Sequence, residues 1–206
     1  MLKTLKLKSM KKLILSLAAV ATFTFASAQE QEVETYGFNE GDMFVSGSFG
    51  IGSTKFPDDS KENTFNISPR FGYFLNDFIA VGVQAGYSKQ KEENANGDDV
   101  VDNSTFTIGA FGRYYLMPAQ KFSFFGELGL GYGTTEDIDD NKVNGVNIAV
   151  APGLSYFVSK HFALEATFGI LGYNSVKKDE SGAESTDSFD FGLNMDDINL
   201  GLIYKF

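Results

Sequence analysis

The chain has no cysteine. Disulfides, thiolate metal sites, cysteine nucleophiles and lipid attachment through a cysteine are therefore excluded. It has a single histidine, His161, which removes most metal centres and most catalytic dyads. Positive charge is scarce and unevenly spread. Of the 17 basic residues, five (Lys3, Lys6, Lys8, Lys11 and Lys12) precede residue 28 in a stretch without acids. The rest of the chain carries 27 acids against the remaining 12 bases. Such a surface cannot replace the counterions of a phosphate backbone, so no nucleic-acid partner is expected. Proline is also sparse, at 4, beside 22 Gly, 21 Phe and 9 Tyr. That balance reads as β-rich and ordered rather than disordered. Nothing in it calls for a cofactor.

Residues 10–28 open Met10-Lys11-Lys12, continue with an apolar run from Leu13 to Phe25 and end Ala26-Ser27-Ala28. A basic start, a short apolar core and a small-x-small site form a secretory signal peptide, with cleavage between Ala28 and Gln29. A membrane-spanning helix fits less well, because the run is shorter than the roughly 20 residues needed to cross. Met1 and Met10 are both candidate starts. The expected organisation is a signal peptide over 1–28, a short, acidic, mobile periplasmic tail over 29–40 and one domain over 41–206.

Gly, Asn, Asp and Ser cluster at Lys55 to Asn63, Lys89 to Asn103, Thr134 to Asn144 and Asn174 to Ser188, which predicts four long polar loops. Shorter breaks fall at Phe74 to Asp77, Met117 to Lys121 and Phe157 to His161. Between them lie eight strands of about 9–11 residues, the length a tilted strand needs to cross a bilayer.

Each strand alternates. One face holds, for example, Ile79, Val81, Val83, Ala85 and Tyr87, or Phe122, Phe124, Gly126, Leu128, Leu130 and Tyr132, and no charge occurs on it. The other face is small or polar, with few large apolar groups, and carries all five strand charges: Arg70, Arg113, Glu127, Glu165 and Lys205. A soluble barrel needs the reverse arrangement, with bulky residues inside. In water the bulky face would be an aggregation surface. In a bilayer it meets lipid, and a closed barrel leaves no backbone edge in hydrocarbon. The predicted fold is all-β: an eight-stranded antiparallel transmembrane up-and-down β-barrel, with outer-membrane lipid as its first partner.

Tyr73, Tyr114, Tyr156 and Tyr204 each close a strand before a short turn or the terminus, while Phe78, Phe122 and Phe162 open the next strands. Amphipathic rings favour membrane interfaces, so these residues predict an aromatic belt. Plain strand propensity would account for any one of them alone.

The chain ends Asn199-Leu200-Gly201-Leu202-Ile203-Tyr204-Lys205-Phe206. This pattern, with Asn199, Gly201, Tyr204 and Phe206 at its marked positions, resembles the insertion signal of bacterial outer-membrane barrels. With the signal peptide and eight strands, residues 41–206 resemble a small OmpA/OmpX-like, porin-family outer-membrane barrel protein. The resemblance implies a cell outer-membrane location, both termini in the periplasm, a monomer and recognition of the last strand by the barrel assembly machinery. The chain stops at the barrel's final Phe, so the peptidoglycan-binding domain of full-length OmpA is not carried over.

Several features bear on function. Arg70, Gln84, Arg113, Glu127, Glu165 and Lys205 point into a lumen just wide enough for side chains to fill. They form either a static polar plug or a gate whose ion pairs swap to open a narrow, porin-like channel for small solutes. The run Glu136-Asp137-Ile138-Asp139-Asp140-Asn141 offers oxygen ligands at calcium-loop spacing. However, Lys142 stands where the Gly is needed and Ile148 where the Glu is needed, so a solvated acidic loop with an unknown extracellular partner fits better. A lipid-modifying enzyme needs a base at the outer rim, whereas His161 falls in a short turn on the other side, so no catalytic residue is assigned. Pro69 and Pro152 lie inside strands and predict a bulge or kink each. In the last strand Phe189, Phe191, Leu193 and Met195 alternate on odd numbers and Ile198 to Phe206 on even ones, which predicts a one-residue bulge near Asp196-Asp197. Failing that, Ser188 to Met195 is an extension above the membrane.

Overall fold

The computed structural model describes residues 36–169, 171–192 and 198–206. The alternating segments become β1 (Met43–Lys55), β2 (Lys61–Phe74), β3 (Ile79–Glu93), β4 (Asp99–Tyr115), β5 (Phe122–Glu136), β6 (Lys142–Phe157), β7 (Phe162–Phe168), β8 (Leu171–Lys178), β9 (Ser185–Phe191) and β10 (Ile198–Lys205). β7 and β8 follow one another along β6 as a single stave, and β9 and β10 follow one another along that stave as the next. The result is a closed barrel of eight antiparallel staves, sealed by β5 against β6 and β10 against β1. Closure follows from the sequence pattern, because an apolar outer wall demands lipid and lipid tolerates no unpaired strand edge.

The two ends of the barrel differ. The lower end carries the connections 75–78, 116–121 and 158–161 together with the C-terminus, and the upper end carries the hairpin connections 56–60, 94–98, 137–141 and 179–184. The four long loops expected from the sequence are therefore corrected. Most of their residues extend the strands, leaving five- or six-residue connections at the tips. The extensions are polar yet laddered, and cross-strand charge pairs such as Lys61–Glu93 (3.5 Å) and Lys89–Asp102 (2.9 Å) suit them to water. Turn chemistry ends them. Asn94 Oδ1 accepts from the N–H groups of Asn96 and Asp98 at 2.9 and 3.0 Å, and Gly97 takes a left-handed φ of 88° beside them.

Two further expectations change. Pro69 causes no bulge: it stays in register with Gly47 of β1, and the β2–β3 ladder merely skips Ser68–Pro69 and resumes in the same register. Pro152 sits beside a real shift. The β6 register moves by one residue between the Gly153–Thr167 and Val150–Leu171 pairs, across the β7–β8 junction. The predicted bulge at Asp196-Asp197 lies outside the described residues. Of the segment Ser188 to Met195, residues 188–191 belong to β9 and ladder with β8, and 193–195 lie outside the described residues.

The tail expected over 29–40 is corrected where the structure describes it. Tyr36, Gly37 and Phe38 turn into the lower mouth of the barrel, and Phe38 is fully buried. Phe38 N–H donates to Pro118 O at 2.7 Å, and Gly37 adopts φ 89° where a Cβ would collide with the Pro118–Ala119 backbone. Only glycine meets both conditions at this position.

Candidate functional site

Strand register assembles the lumen. Arg113 of β4 stands opposite Glu127 of β5, and Arg70 of β2 opposite Gln84 of β3. Arg113 Nε donates to Glu127 Oε2 at 2.6 Å, and its two terminal nitrogens donate to Glu165 at 2.6 and 3.0 Å. Arg70 donates to both Glu127 oxygens at 3.0 and 2.6 Å and to Gln84 Oε1 at 2.9 and 2.6 Å. Two arginines and two glutamates thus form one girdle across the barrel, with Glu127 shared between the arginines. Their charges balance, and the hydrogen bonds offset the desolvation that burial imposes.

Below the girdle the lumen is aromatic. Phe38 lies 4.6–5.6 Å, centroid to centroid, from Phe44, Phe74, Tyr115 and Phe157. Phe111 and Phe125 complete the transition upward. The Arg113 guanidinium rests 4.3 Å from the Phe125 ring centre and 5.0 Å from that of Phe111, within the range of cation–π attraction. The hydroxyls of Ser46, Ser123 and Ser155 are buried near this layer without hydrogen-bond partners. Above the girdle is a cavity of about 280 Å³ lined by the girdle residues Arg70, Glu127 and Glu165, by Ser48, Ser68, Gln84, Thr167, Asn199 and Leu200, and by glycines and alanines.

Lys205 does not join the girdle, which corrects its assignment to that network. It lies at the lower mouth, where Nζ donates to Gly37 O at 2.7 Å and pairs with Asp42 at 3.2 Å. The expectation of few large apolar groups inside is corrected too. Phe44, Phe74, Tyr115 and Phe157 were missed, although each continues the inward parity of its strand by one more step. Phe38 had no comparable signal, since it lies outside any strand.

The comparisons with known proteins agree with this architecture. The family model described as "Outer membrane protein beta-barrel domain" matches residues 15–206. The chain belongs to that family. No curated protein matches the sequence. Among solved structures, Neisserial surface protein A (NspA) is 17% identical with a TM-score of 0.54, covering 81% of this chain and 100% of its own. OprG from Pseudomonas aeruginosa is 18% identical with a TM-score of 0.49, covering 82% and 98%. Ail of Yersinia pestis is 16% identical with a TM-score of 0.43, covering 81% and 99%. At these identities the likeness of NspA concerns the fold alone.

As an outer-membrane barrel, the chain carries its expected belt residues near the lower end. Phe78 and Tyr114 stack at 6.2 Å, Phe162 and Tyr204 meet at 5.0 Å, and Tyr204 and Phe206 meet at 5.3 Å. Phe122 stands opposite Tyr156, and Tyr73 opposite Met43, all half-exposed on the outer face. In the last strand, Gly201 stands opposite Glu165 and Asn199 opposite Thr167, while Phe206 N–H donates to Met43 O at 2.9 Å. The acidic run at the β5–β6 tip serves its own turn. Asp137 Oδ1 accepts from the N–H groups of Asp139 and Asn141 at 2.9 Å each.

Proposed function

We propose that this outer-membrane barrel is a non-enzymatic structural or surface-interaction protein whose lumen is a plug. Its first 28 residues direct export, its last strand is read by the assembly machinery, both termini face the periplasm, and the acidic hairpin tips face outward toward a partner. The aromatic rings near the lower end then sit at the periplasmic membrane interface. The observation that carries this reading is the fully buried Arg113, bonded to Glu127 and Glu165 and underlain by stacked rings. A cross-section filled by paired charges and aromatic rings has no room for a hydrated solute. His161 supports the absence of catalysis: its Nδ1 lies 2.8 Å from Lys205 O at the lower end, away from the acidic tips. Planar-bilayer recording of the refolded mature chain tests the reading. No unitary conductance is expected, and regular unitary steps from the unmodified chain would overturn it.

A narrow gated channel is the second reading. It draws on Glu127, whose carboxylate already serves both arginines beneath an open cavity. Under that reading Glu127→Ala raises conductance. An unchanged silent membrane with lowered stability rejects it.

A further inference from the structure

Above the girdle the lumen changes character. The inward positions that follow Arg70 and Gln84 are Ser68, Asn66 and Thr64 on β2 and Gly86, Ser88 and Gln90 on β3, and β4 adds Thr107, Thr105 and Asn103. None of them is charged and none is aromatic. Asn66, Ser88 and Thr107 are exposed although they face inward, so side chains do not fill this part of the barrel. Glycines help to keep it open. The Asn66 amide lies against Gly50 and the Thr107 hydroxyl against Gly86, where a Cβ would collide with them. A cavity of about 390 Å³ lies against this wall, and it follows the 280 Å³ cavity upward as Asn66 follows Ser68 along β2. Phe65 and Lys89 border it from outer-facing positions, and the Lys89 ammonium pairs with Asp102 at 2.9 Å.

We propose that this upper lumen is a binding site for a neutral sugar, with the girdle as its floor. Such a site gives the surface-interaction role a partner class, and it rests on the outward orientation of the upper end. Hydroxyls and primary amides both donate and accept, as the hydroxyls of a sugar do. The amides of Asn66 and Asn103, the hydroxyls of Thr64, Ser68 and Ser88, and Gln84 Nε2 make no hydrogen bond among the described residues. They are therefore free to bind a ligand.

Other ligand classes match less well. An ion or a zwitterion needs an unpaired charge, whereas the arginines and glutamates of the girdle are paired with one another. Anions are further disfavoured at the rim, where Glu62 and Glu92 accept from Gln90 Nε2 at 3.2 and 3.0 Å and keep their negative charge. An aromatic ligand needs a ring or a broad apolar wall, and the inward positions here supply neither. The two cavities stand near the lower end of the roughly 300–1,000 Å³ of small-molecule sites, which suits a single sugar residue. A closed floor suits binding rather than passage.

Saturation-transfer difference NMR on the refolded mature chain tests the site in dodecylphosphocholine micelles, a detergent without a sugar headgroup. The probes are glucose, galactose, mannose and N-acetylglucosamine, with glucuronic acid as the anionic counterpart. At least one neutral sugar is expected to receive transfer, and glucuronic acid to bind roughly tenfold more weakly. Ser88→Trp, which fills the cavity, should abolish the signal. Asn66→Ala/Asn103→Ala should weaken binding about fivefold or more, the scale of one or two lost hydrogen bonds. Both variants are first checked for the heat-shifted band of a folded barrel. Thr134→Ala, on the outer face of β5, should bind as the unmodified chain does. No transfer to any neutral sugar overturns the inference, and so does transfer that persists undiminished in both lumen variants. Orientation is read separately. An Asn96→Cys chain, altered at the β3–β4 tip and free of other cysteines, should react with a membrane-impermeant maleimide on intact cells. An unreactive variant that still binds sugar refutes the outward orientation and leaves the lumen site standing.

Discussion

Arg113 and Glu127 are direct cross-strand partners, with Nε donating to Oε2 at 2.6 Å, and the same carboxylate also binds Arg70. Truncating Glu127 leaves a fully buried guanidinium short of a partner. Glu127→Ala should cost about 3–5 kcal/mol of stability, the usual penalty for breaking a buried pair. Arg70 keeps some contact with water at the cavity, so Arg70→Met should cost only about 1–2 kcal/mol. Urea unfolding in micelles, followed by far-ultraviolet circular dichroism, measures both. Equal losses would contradict the unequal burial.

Phe38 closes the lower mouth although it belongs to no strand. Its ring is fully buried among four others. Phe38→Ala should therefore destabilise by about 3–5 kcal/mol, as for other aromatic deletions from a core. Thermal melts of the variant read this directly. A change below about 0.5 kcal/mol, the size of an ordinary surface substitution, would show that the segment is not packed in solution.

Two glycines make a matched pair. A Cβ on Gly82 would meet the Phe71 carbonyl oxygen and the Phe111 ring, whereas a Cβ on Gly112 meets nothing within 4 Å. Gly82→Ala should cost about 1–3 kcal/mol through overpacking. Gly112→Ala, on the lipid side of β4, should stay within about 0.5 kcal/mol. Midpoints of urea unfolding distinguish them, and the reverse order would mean that the assignment of inner and outer faces is wrong.

Asp137 gives the β5–β6 tip a pH dependence. The Asn141 side chain, then the Asn141 and Asp139 N–H groups, hold its carboxyl below the ordinary aspartate value. A lowered folded pKa means the turn's contribution is complete above the unfolded value and is lost as pH falls through the folded one. Amide exchange at Asn141 should accelerate, relative to its intrinsic rate, only in that acidic window. Asp137→Ala should show fast exchange at every pH. Protection lost near neutral pH would assign the effect to another group.

The aromatic repeat shows how far alternation could be read. Tyr73-Phe74, Tyr114-Tyr115 and Tyr156-Phe157 each send one ring outward and the next inward. The outward rings were visible as a belt. The inward ones obey the same parity but lie at strand ends, where local sequence does not say whether the strand has already stopped. In the last stave the equivalent pair is Tyr204-Lys205, and the inward lysine meets Gly37 and Asp42 instead of joining the rings. The polar hairpin arms were misread for a related reason. Their composition suits a loop, and only cross-strand pairing, which is non-local, makes them strands.

Strand count, the lipid-facing set and the inward direction of Arg70, Arg113, Glu127 and Glu165 follow from the linear order, because a strand's two faces repeat every second residue whatever surrounds it. Tertiary structure alone decided two things: that Glu127 serves both arginines and that Phe38 fills the lower mouth. Each depends on the shear with which the staves close, and that offset between distant segments is set by the packing of the whole ring, not by any local pattern.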